Sequence, residues 1–237
     1  MPVKAILFDF MGTCLDWHSS VISALPHTIP DKERSGLALD WRQAYFESNA
    51  ARLAKGKPPE DIDITLEETL WRTIETDKYS DFKERFYGAG MSKSIQAWHS
   101  QRAWPDVLPA LRALKQQGYE LFVHANGTTR LQLDLIESSG LTEFDMLFSS
   151  QLLGVYKPAP ENYLRCLDLI KVKPSEVITV AAHAYDLRGA KAVGMKTVYI
   201  YRWTDDVLED QKKIQKENDA YLTSMNDLPG TIARLAS

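Results

Sequence analysis

The second half of the chain alternates short apolar runs with helical segments, and this alternation limits the fold more than any other feature. The runs are "YELFVHA", "FDMLFSS", "EVITVAA" and "KTVYIY". Apolar periodicity and turn residues such as Gly118 predict helices at 107–117, 130–138, 160–170 and 186–193. Strands that alternate with helices form a parallel sheet covered on both faces. The sequence therefore predicts an α/β fold with a parallel sheet core.

The chain also begins with an apolar run, residues 3–8, which ends at the single carboxylate of Asp9 and a Gly-Thr turn. This pattern is typical of a buried strand, whose carboxyl end lies where open parallel sheets bind ligands. Residues 17–98 read as helices without strands. We therefore expect a core domain of residues 1–16 and 99–237 and an inserted all-helical cap domain of residues 17–98.

Two helices are predicted inside this insert. Residues 39–54 place Trp41, Tyr45 and Leu53 near helical spacing, and the segment Lys55-Gly56-Lys57-Pro58-Pro59 ends that helix. In "TLEETLWRTIE", Thr65 and Glu68 have the spacing of a capping box, which predicts a helix that begins at Thr65.

Composition excludes several classes of function. The net charge of −4 gives no indication of a nucleic-acid or membrane-surface partner. Cys14 and Cys166 lack the spacing of a disulfide framework or a zinc site. No apolar run approaches the roughly 20 residues that span a bilayer, and Asp9 and Asp16 interrupt any signal-peptide profile. We expect a reduced, cytoplasmic protein.

Four loops are predicted to meet at the carboxyl edge of the sheet. They carry Asp9, Asn126, Lys157 and the stretch from His183 to Asp186. Each has a structural alternative, because Asp9 could cap a turn, Asn126-Gly127 could form one, Lys157 could be a solvated charge and Asp186 could cap the next helix. Two acids and a lysine at consecutive strand ends nevertheless indicate a shared site.

The segments "FDFMGT", "HANGT", "GVYKPAPENY" and "AAHAYDLRGAKAVGMKTVYI" resemble the four motifs of the haloacid dehalogenase superfamily. The resemblance covers the whole chain, including the cap, and implies a Rossmann-like core. Phosphatase members carry a second Asp two residues after the nucleophile as general acid and base. Here Met11 stands at that position. In this respect the chain resembles the (S)-2-haloacid dehalogenase branch, also called type II.

The resemblance implies roles for individual residues. Asp9 would be the nucleophile that displaces halide with inversion and forms an ester, and Asp186 with His183 would then direct water onto the ester carbonyl. Thr13 and Lys157 would orient Asp9, and direct charge attraction by Lys157 would lower the pKa of Asp9. The residues expected to bind substrate or halide are Arg42, Asn126, Met11, Tyr163 and Tyr185, with Met11 as an apolar wall.

The chain departs from the best-known dehalogenases at three positions of the site. Ala125 and Ala181 stand where those enzymes have serine, and His183 stands where they have asparagine. The loss of two hydroxyls should weaken binding of the substrate carboxylate by roughly 1 kcal/mol each or more. A neutral imidazole at pH 7 is a natural general base, which would give His183 a part in activating water, whereas its alternative is a hydrogen-bonded loop residue.

We expect a metal-independent hydrolase of short 2-haloalkanoic acids that needs no cofactor. Displacement at saturated carbon requires no metal, and His183 and Tyr185 are poor magnesium ligands beside Asp186. The alternatives are the same nucleophile acting on an epoxide or a phosphate ester, and a non-catalytic binding protein that keeps the fold. The expected partner is a small-molecule substrate, not a nucleic acid or a membrane, and a homodimer is left open.

Overall fold

The computed structural model describes residues 3–236 and contains two sheets. Residues 1, 2 and 237, which the sequence assigns to the core domain, lie outside the described residues. A six-stranded, fully parallel sheet has the order β5-β4-β1-β6-β7-β8, and β2 and β3 form a separate antiparallel pair. The strands are β1 (Ala5–Phe8), β2 (Leu15–Asp16), β3 (Arg102–Ala103), β4 (Glu120–Ala125), β5 (Met146–Ser149), β6 (Val177–Ala181), β7 (Lys196–Ile200) and β8 (Ala220–Leu222).

Helices surround the sheet and fill the segment between β2 and β3. They are α1 (Trp17–Ala24), α2 (Asp31–Ala54), α3 (Ile62–Ile74), α4 (Ala89–Gln96), α5 (Val107–Gln116), α6 (Thr129–Ser139), α7 (Ser150–Leu153), α8 (Pro160–Leu169), α9 (Ala184–Ala192), α10 (Gln211–Glu217) and α11 (Leu228–Ala236). Short 3-10 helices lie at Ser80–Phe86, Ala97–His99, Pro174–Glu176 and Met225–Asp227. The predicted α/β class, its five main strands and the helices between them are confirmed.

The register of the sheet explains why the predicted loops converge. The last residue of β1, Phe8, pairs with Val123 of β4 on one side and with Val180 of β6 on the other. All three strands run in the same direction, so they end at the same edge of the sheet. Asp9 therefore emerges between the loops that follow β4 and β6.

Helices α1 to α4 contain no strand between them and pack around tryptophans. Trp17 and Trp98 stack with ring centroids 5.5 Å apart, and Trp41 meets Trp98 edge-on at 5.1 Å. These three rings are fully buried. The pair β2–β3 joins the two ends of this segment, with Leu15 opposite Ala103. We call residues 17–98 the cap segment.

Two helix starts in the cap segment differ from the prediction. Helix α3 begins at Ile62, not at Thr65, because the side chain of Asp61 accepts a hydrogen bond from the backbone N–H of Asp63 and caps the helix earlier. Helix α2 begins at Asp31, eight residues before the predicted start. Its first turn is polar, so apolar spacing alone did not reveal it. Within residues 3–236, no helix is both long enough and apolar enough to cross a membrane.

Candidate active site

Asp9 follows β1 directly and is buried, with both carboxylate oxygens engaged. Its backbone N–H donates to the carbonyl of Val180 at 3.0 Å, which fixes the loop against β6. Lys157 Nζ donates to Oδ1 at 2.9 Å. Oδ2 accepts from Thr13 Oγ1 at 2.7 Å and lies 2.9 Å from His183 Nδ1. Three of the expected site residues therefore hold this one carboxylate.

Lys157 lies at the centre of the polar cluster. Its ammonium donates to Asp9, to the backbone carbonyl of His124 at 2.8 Å and to Asp186 Oδ2, so all three N–H bonds are used. Asn126 holds the lysine backbone from both sides: its Oδ1 accepts from the N–H of Lys157 at 2.8 Å, and its Nδ2 donates to the carbonyl at 3.2 Å. This pairing ties the loop after β4 to the loop after α7.

The charges of the cluster determine the ionisation of Asp9. Burial alone would raise the pKa of its carboxyl, but the attraction of Lys157 and then of His183 outweighs burial and holds the pKa well below its usual value. Burial would likewise lower the pKa of Lys157, yet Asp186 and Asp9 raise it. Asp9 is therefore an anion at neutral pH, with few solvent contacts that would shield it.

Asp186 lies in the first turn of α9, beyond its first residue, and does not cap it. The N-cap position belongs to His183, and the Asp186 side chain points to Lys157 and Tyr163. Tyr163 Oη donates to Asp186 Oδ1 at 2.7 Å. Burial raises the pKa of Asp186 despite the opposing attraction of Lys157. Asp186 is consequently more basic than an exposed aspartate.

His183 differs from the neutral ring assumed in the sequence analysis. Its Nδ1 faces Asp9 and its Nε2 lies 2.9 Å from Asp205 Oδ1. Burial lowers its pKa, but the charge of Asp9 and the bond to Asp205 overcome that effect and raise the pKa to about 10. Both ring nitrogens face carboxylate oxygens, so the site favours the protonated imidazole and not the expected neutral base.

Arg42, from α2 of the cap segment, reaches the site through an aromatic enclosure. Its guanidinium carbon lies 4.6 Å from the ring centre of Phe46, 5.2 Å from that of Trp17 and 5.5 Å from that of Trp98. Its amino groups donate to the sulfur and to the carbonyl oxygen of Met11, the latter at 3.2 Å. Arg42 Nε is buried with no hydrogen-bond partner among the described residues, so its N–H is available to an anion.

Asp205 was missed by the sequence analysis. It follows β7 in the segment "RWTDD" and contacts His183, and its Oδ1 lies 3.7 Å from Arg42 Nη2. A signal was present, because two adjacent acids follow the fifth predicted strand, "KTVYIY". Functional loops were predicted after only four strands, although the fifth ends at the same edge of the sheet.

The other four residues expected to bind substrate differ in their surroundings. Tyr163 is fully buried, and its hydroxyl is committed to Asp186, which makes it a positioning residue and corrects its expected contact with substrate. Met11 is buried and accepts hydrogen bonds from Arg42 at its sulfur and its carbonyl oxygen. Tyr185 and Asn126 line a cavity of about 490 Å³ beside Lys157.

That cavity is mostly apolar and lies between α2 and the sheet edge. Its lining includes Tyr45, Phe46 and Leu53 of the cap segment and Pro158 of the core. A second cavity of about 210 Å³ also has Phe46 in its lining and reaches Arg42, His183 and Asp205. Phe46 therefore lines both cavities, one beside Lys157 and the other beside His183.

The close approach of Gly12 to Asp205 gives a testable constraint. Gly12 has a φ of +88°, and a Cβ there would lie 2.5 Å from Asp205 Oδ1. Gly12→Ala should therefore strain the backbone and displace Asp205. Gly118→Ala is the matched control, because Gly118 has a φ of +87° with no atom within 4 Å of an added Cβ. We expect urea unfolding to show about 1 kcal/mol of destabilisation for Gly118→Ala and clearly more for Gly12→Ala. Of the two variants, only Gly12→Ala should lose activity. Equal effects of both would contradict the close contact.

The donor set is better suited to charge pairing than to metal binding. Among residues 3–236, no group of three or more His, Cys, Asp or Glu side chains is arranged to hold a metal ion. Asp9 and Asp186 share the ammonium of Lys157, and the carbonyl oxygen of Met11 accepts from Arg42. The groups that face one another are thus matched acids and bases.

Comparison with known proteins agrees with this geometry. The family model described as haloacid dehalogenase-like hydrolase matches residues 3–194. (S)-2-haloacid dehalogenase 1 of Pseudomonas sp. (strain CBS-3) is 30% identical over 99% of this chain and 98% of that protein. A crystal structure of an L-2-haloacid dehalogenase is 32% identical, covers 98% of this chain and 99% of its own, and superposes with a TM-score of 0.82.

Phosphatases also occur among the relatives. Phosphoglycolate phosphatase of Nitrosospira multiformis is 26% identical and covers 82% of this chain and 81% of that protein. The resemblance noted in the four sequence motifs is confirmed. This chain belongs to the haloacid dehalogenase-like hydrolase family.

Proposed function

We propose that this protein hydrolyses the carbon–halogen bond of short 2-haloalkanoic acids, without a metal, through an ester on Asp9. The observation that carries the proposal is an ionised, buried Asp9 held by Lys157 with Met11 in place of a second acid. A carboxylate of this kind is a suitable nucleophile for a saturated carbon. The named dehalogenases among the relatives support the same substrate class.

The first step is displacement of halide. A free lone pair of Asp9 attacks C2 of the substrate from the side opposite to the halogen, the carbon–halogen bond breaks, and the configuration at C2 is inverted. Arg42 binds the departing halide by donating a hydrogen bond from Nε, which has no partner among the described residues. The amide of Asn126 keeps one N–H bond beyond that given to Lys157, and we propose that it assists.

The second step opens the ester. Asp186 removes a proton from a water molecule that attacks the Asp9 carbonyl carbon, a role that suits its raised pKa. Tyr163 and Lys157 position Asp186 through both carboxylate oxygens. The ester bond breaks to release a 2-hydroxy acid, and Asp9 returns to the carboxylate form with an oxygen atom from water.

The apolar cavity would hold the alkyl group of the substrate. Tyr45, Phe46 and Leu53 offer carbon surfaces next to Lys157 and Asn126, which suits a small amphipathic molecule. Ala125 and Ala181 bring no hydroxyl to the site. We therefore expect weak binding of the carboxylate, which would appear as a high KM.

We further propose that residues 17–98 act as a cap domain over a core of residues 1–16 and 99–237. The cap segment supplies Arg42 and Phe46 to the site, and it touches the core where the backbone N–H of Glu60 donates to Tyr156 Oη at 2.7 Å. A cap that closes over the site would exclude water during the first step. We also propose a cytoplasmic location, since both cysteines are free and buried, and a homodimer as the assembly to test first.

A turnover screen tests the proposed function. Both enantiomers of 2-chloropropionate and 2-bromopropionate are incubated with the protein, and released halide and 2-hydroxy acid are quantified. We expect stoichiometric products from one enantiomer, with inverted configuration. Release of phosphate from phosphate esters, with no halide from any haloacid, would instead favour the phosphatase alternative.

Activity should persist in excess EDTA. The anion Asp9 is stabilised by Lys157, Thr13 and His183, so no metal is needed to hold it. Halide release is measured after dialysis against EDTA and again with added magnesium, and the rates should agree within about twofold. A strict requirement for magnesium would contradict the metal-independent mechanism.

A further inference from the structure

We propose that Asp205 is a positioning residue that holds His183 as a doubly protonated donor, and that this donor stabilises the negative charge on Asp9 Oδ2 while the ester is opened. The inference rests on the proposed aspartyl ester and deepens its second step. It assigns His183 a role opposite to that of a general base, and it brings Asp205 into the reaction.

The two oxygens of Asp9 have different surroundings. Oδ2 lies 2.7 Å from Thr13 Oγ1 and 2.9 Å from His183 Nδ1, whereas among residues 3–236 Oδ1 accepts only from Lys157. A carboxylate oxygen offers two lone-pair directions, so Oδ1 keeps one free for attack and Oδ2 does not. Oδ1 therefore becomes the ester oxygen, and Oδ2 becomes the carbonyl oxygen on which negative charge develops.

Two donors already lie at the distance that an oxyanion requires. Hydrogen-bond donors about 2.7–3.1 Å from the developing oxyanion are the arrangement that speeds acyl transfer. The hydroxyl of Thr13 accepts from the backbone N–H of Ala182 at 2.8 Å, so its own proton is directed at Oδ2. His183 supplies the second donor.

The hydrogen-bond pattern fixes the protonation of His183. Both ring nitrogens face carboxylate oxygens, Asp9 Oδ2 on one side and Asp205 Oδ1 on the other. A carboxylate can only accept, so a ring that satisfies both needs two N–H bonds. A neutral ring would leave one buried nitrogen lone pair facing an anion.

Asp205 is itself held firmly in the ionised state. Trp17 Nε1 and Thr204 Oγ1 donate to its Oδ2 at 3.1 and 2.7 Å, and Arg42 lies 3.7 Å from Oδ1. The residue is 3% exposed. With these donors its charge does not depend on solvent, and it can stabilise the imidazolium throughout the reaction.

The charges of the whole cluster agree with a charged His183. The buried anions are Asp9, Asp186 and Asp205, and the buried cations are Lys157, Arg42 and His183. A neutral histidine would leave this enclosed set with an unbalanced negative charge, which is costly away from water.

Ester opening conserves atoms and charge in this arrangement. Water forms a bond to the Asp9 carbonyl carbon and gives one proton to Asp186, while the carbonyl electron pair moves to Oδ2 between Thr13 and His183. When that pair returns, the bond from the carbonyl carbon to Oδ1 breaks. The departing alkoxide takes a proton, relayed from Asp186 through Lys157. The second proton of the water is released to solvent as Asp9 returns to its anion, so the net reaction yields the 2-hydroxy acid, halide and one proton. His183 keeps both of its protons.

The main test replaces Asp205 by asparagine, which keeps the size but removes the charge. Asp206→Asn is the matched control: this neighbouring acid accepts from the backbone N–H of Ala184 at 2.6 Å and has no hydrogen bond to His183. Its φ of +52° is a conformation that asparagine tolerates. Single-turnover reactions with 2-chloropropionate are quenched at successive times, and the mass of the peptide containing Asp9 is measured by mass spectrometry.

Asp205→Asn should form the ester at nearly the wild-type rate and open it about 10- to 100-fold more slowly. The adduct on Asp9 should therefore accumulate in this variant and not in Asp206→Asn. Equal slowing of both steps, or ester opening at the wild-type rate, would overturn the proposal. His183→Asn is the second variant, because its amide keeps one neutral donor, and it should open the ester at an intermediate rate.

The pH profile separates a donor from a base. Loss of Asp205 removes a carboxylate that raises the pKa of His183. Ester opening should therefore begin to fall at a lower pH in Asp205→Asn than in the wild type. A rate that rises as His183 loses its proton would make it a base and overturn the proposal. The other charged or titratable groups around His183 are Asp9, Asp186, Asp206, Lys157, Arg42, Tyr45 and Tyr185.

A measurement without substrate separates this inference from the proposed function. In ¹⁵N-labelled protein, both ring nitrogens of His183 should give imidazolium shifts at pH 8, and Asp205→Asn should move them toward the neutral form. If no haloacid is turned over but these shifts are observed, the proposed function fails and the role of Asp205 in holding the charge stands. A neutral His183 in the wild type at pH 8 would overturn the inference by itself.

Discussion

Asp9→Asn should reduce halide release by roughly 10⁴-fold or more, to the background level. The amide is a far weaker nucleophile than the carboxylate. Its NH₂ group would also face donors, because Lys157, Thr13 and His183 all point at this side chain. Halide release is measured by ion chromatography, and mass spectrometry confirms that the introduced amide has not deamidated to aspartate.

Asp168→Asn is the control for this loss of a carboxylate. Asp168 is paired with Lys171 on the surface, and both side chains are 78% exposed. We expect wild-type activity from it, because exposed pairs contribute about 0–1 kcal/mol. Substantial turnover by Asp9→Asn would mean that another group is the nucleophile and would refute the ester mechanism.

Isotope labelling shows where water attacks. In a single turnover in ¹⁸O water, the label should enter Asp9 and not the 2-hydroxy acid, because water attacks the enzyme's carbonyl carbon and the product keeps an Asp9 oxygen. Label found directly in the product would indicate attack of water on the substrate. An epoxide substrate would give the same labelling of Asp9 without halide release, so the two experiments together separate these electrophiles.

The phosphatase and the binding protein are separated by different observations. A relative named as a phosphatase shares much of the chain, so the fold does not decide between the chemistries. Residue 11 distinguishes the two chemistries, because methionine has no ionisable proton to transfer. The sulfur and carbonyl oxygen of Met11 instead accept hydrogen bonds from Arg42. A binding protein would give neither an adduct on Asp9 nor labelled oxygen.

The sequence was sufficient to predict the position of Asp9 because its placement depends on strand direction alone, whereas Lys157 follows α7 and Asp186 lies in the first turn of α9. Parallel strands end at one edge, and a residue that follows such a strand lies at that edge whatever the details of packing. Phe8, the last residue of β1, pairs with β4 on one side and with β6 on the other. The next residue, Asp9, therefore lies between the loops that follow these two strands.

The properties that the sequence could not provide depend on partners that are distant in the chain. The sequence predicts a neutral His183 because its second carboxylate, Asp205, is separated from it by 22 residues and a whole strand. The hydroxyl of Tyr163 was expected at the substrate, but the packing of α8 against α9 turns it toward Asp186. Ionisation and side-chain direction come from such contacts, which spacing does not encode.

Lys157→Met should have the second large effect, on both activity and stability. The substitution keeps most of the apolar stem and removes the only described hydrogen-bond donor to Asp9 Oδ1, while Asp9 and Asp186 remain buried near each other. Breaking a buried ion pair in this way costs about 3–5 kcal/mol. Halide release should fall by roughly 10²- to 10³-fold or more, since the nucleophile loses its orienting charge.

Lys78→Met is the matched control on the surface. Lys78 pairs with Asp40 at 2.7 Å, with side chains 62% and 46% exposed. We expect a change in the free energy of unfolding of about 1 kcal/mol or less and unchanged turnover. If urea unfolding gave the same small change for Lys157→Met, the buried cluster would not have the energetic role that its geometry implies.

The stability of Lys157→Met should depend on pH in a direction that identifies the cause. In the wild type, the folded-state pKa of Asp9 is depressed, so its contribution is present above its unfolded pKa and is lost only as pH falls. Without the ammonium, burial and mutual repulsion should raise the folded-state pKa of Asp9 or Asp186 above the unfolded value. The folded variant would then bind the extra proton, and its stability should fall as pH rises through that raised pKa. Urea unfolding at about pH 5 and pH 8 should therefore show the deficit relative to wild type growing with pH. A loss of unfolding free energy that does not change with pH would show that titration of Asp9 and Asp186 is not its cause. It would indicate lost packing around the side chain at position 157.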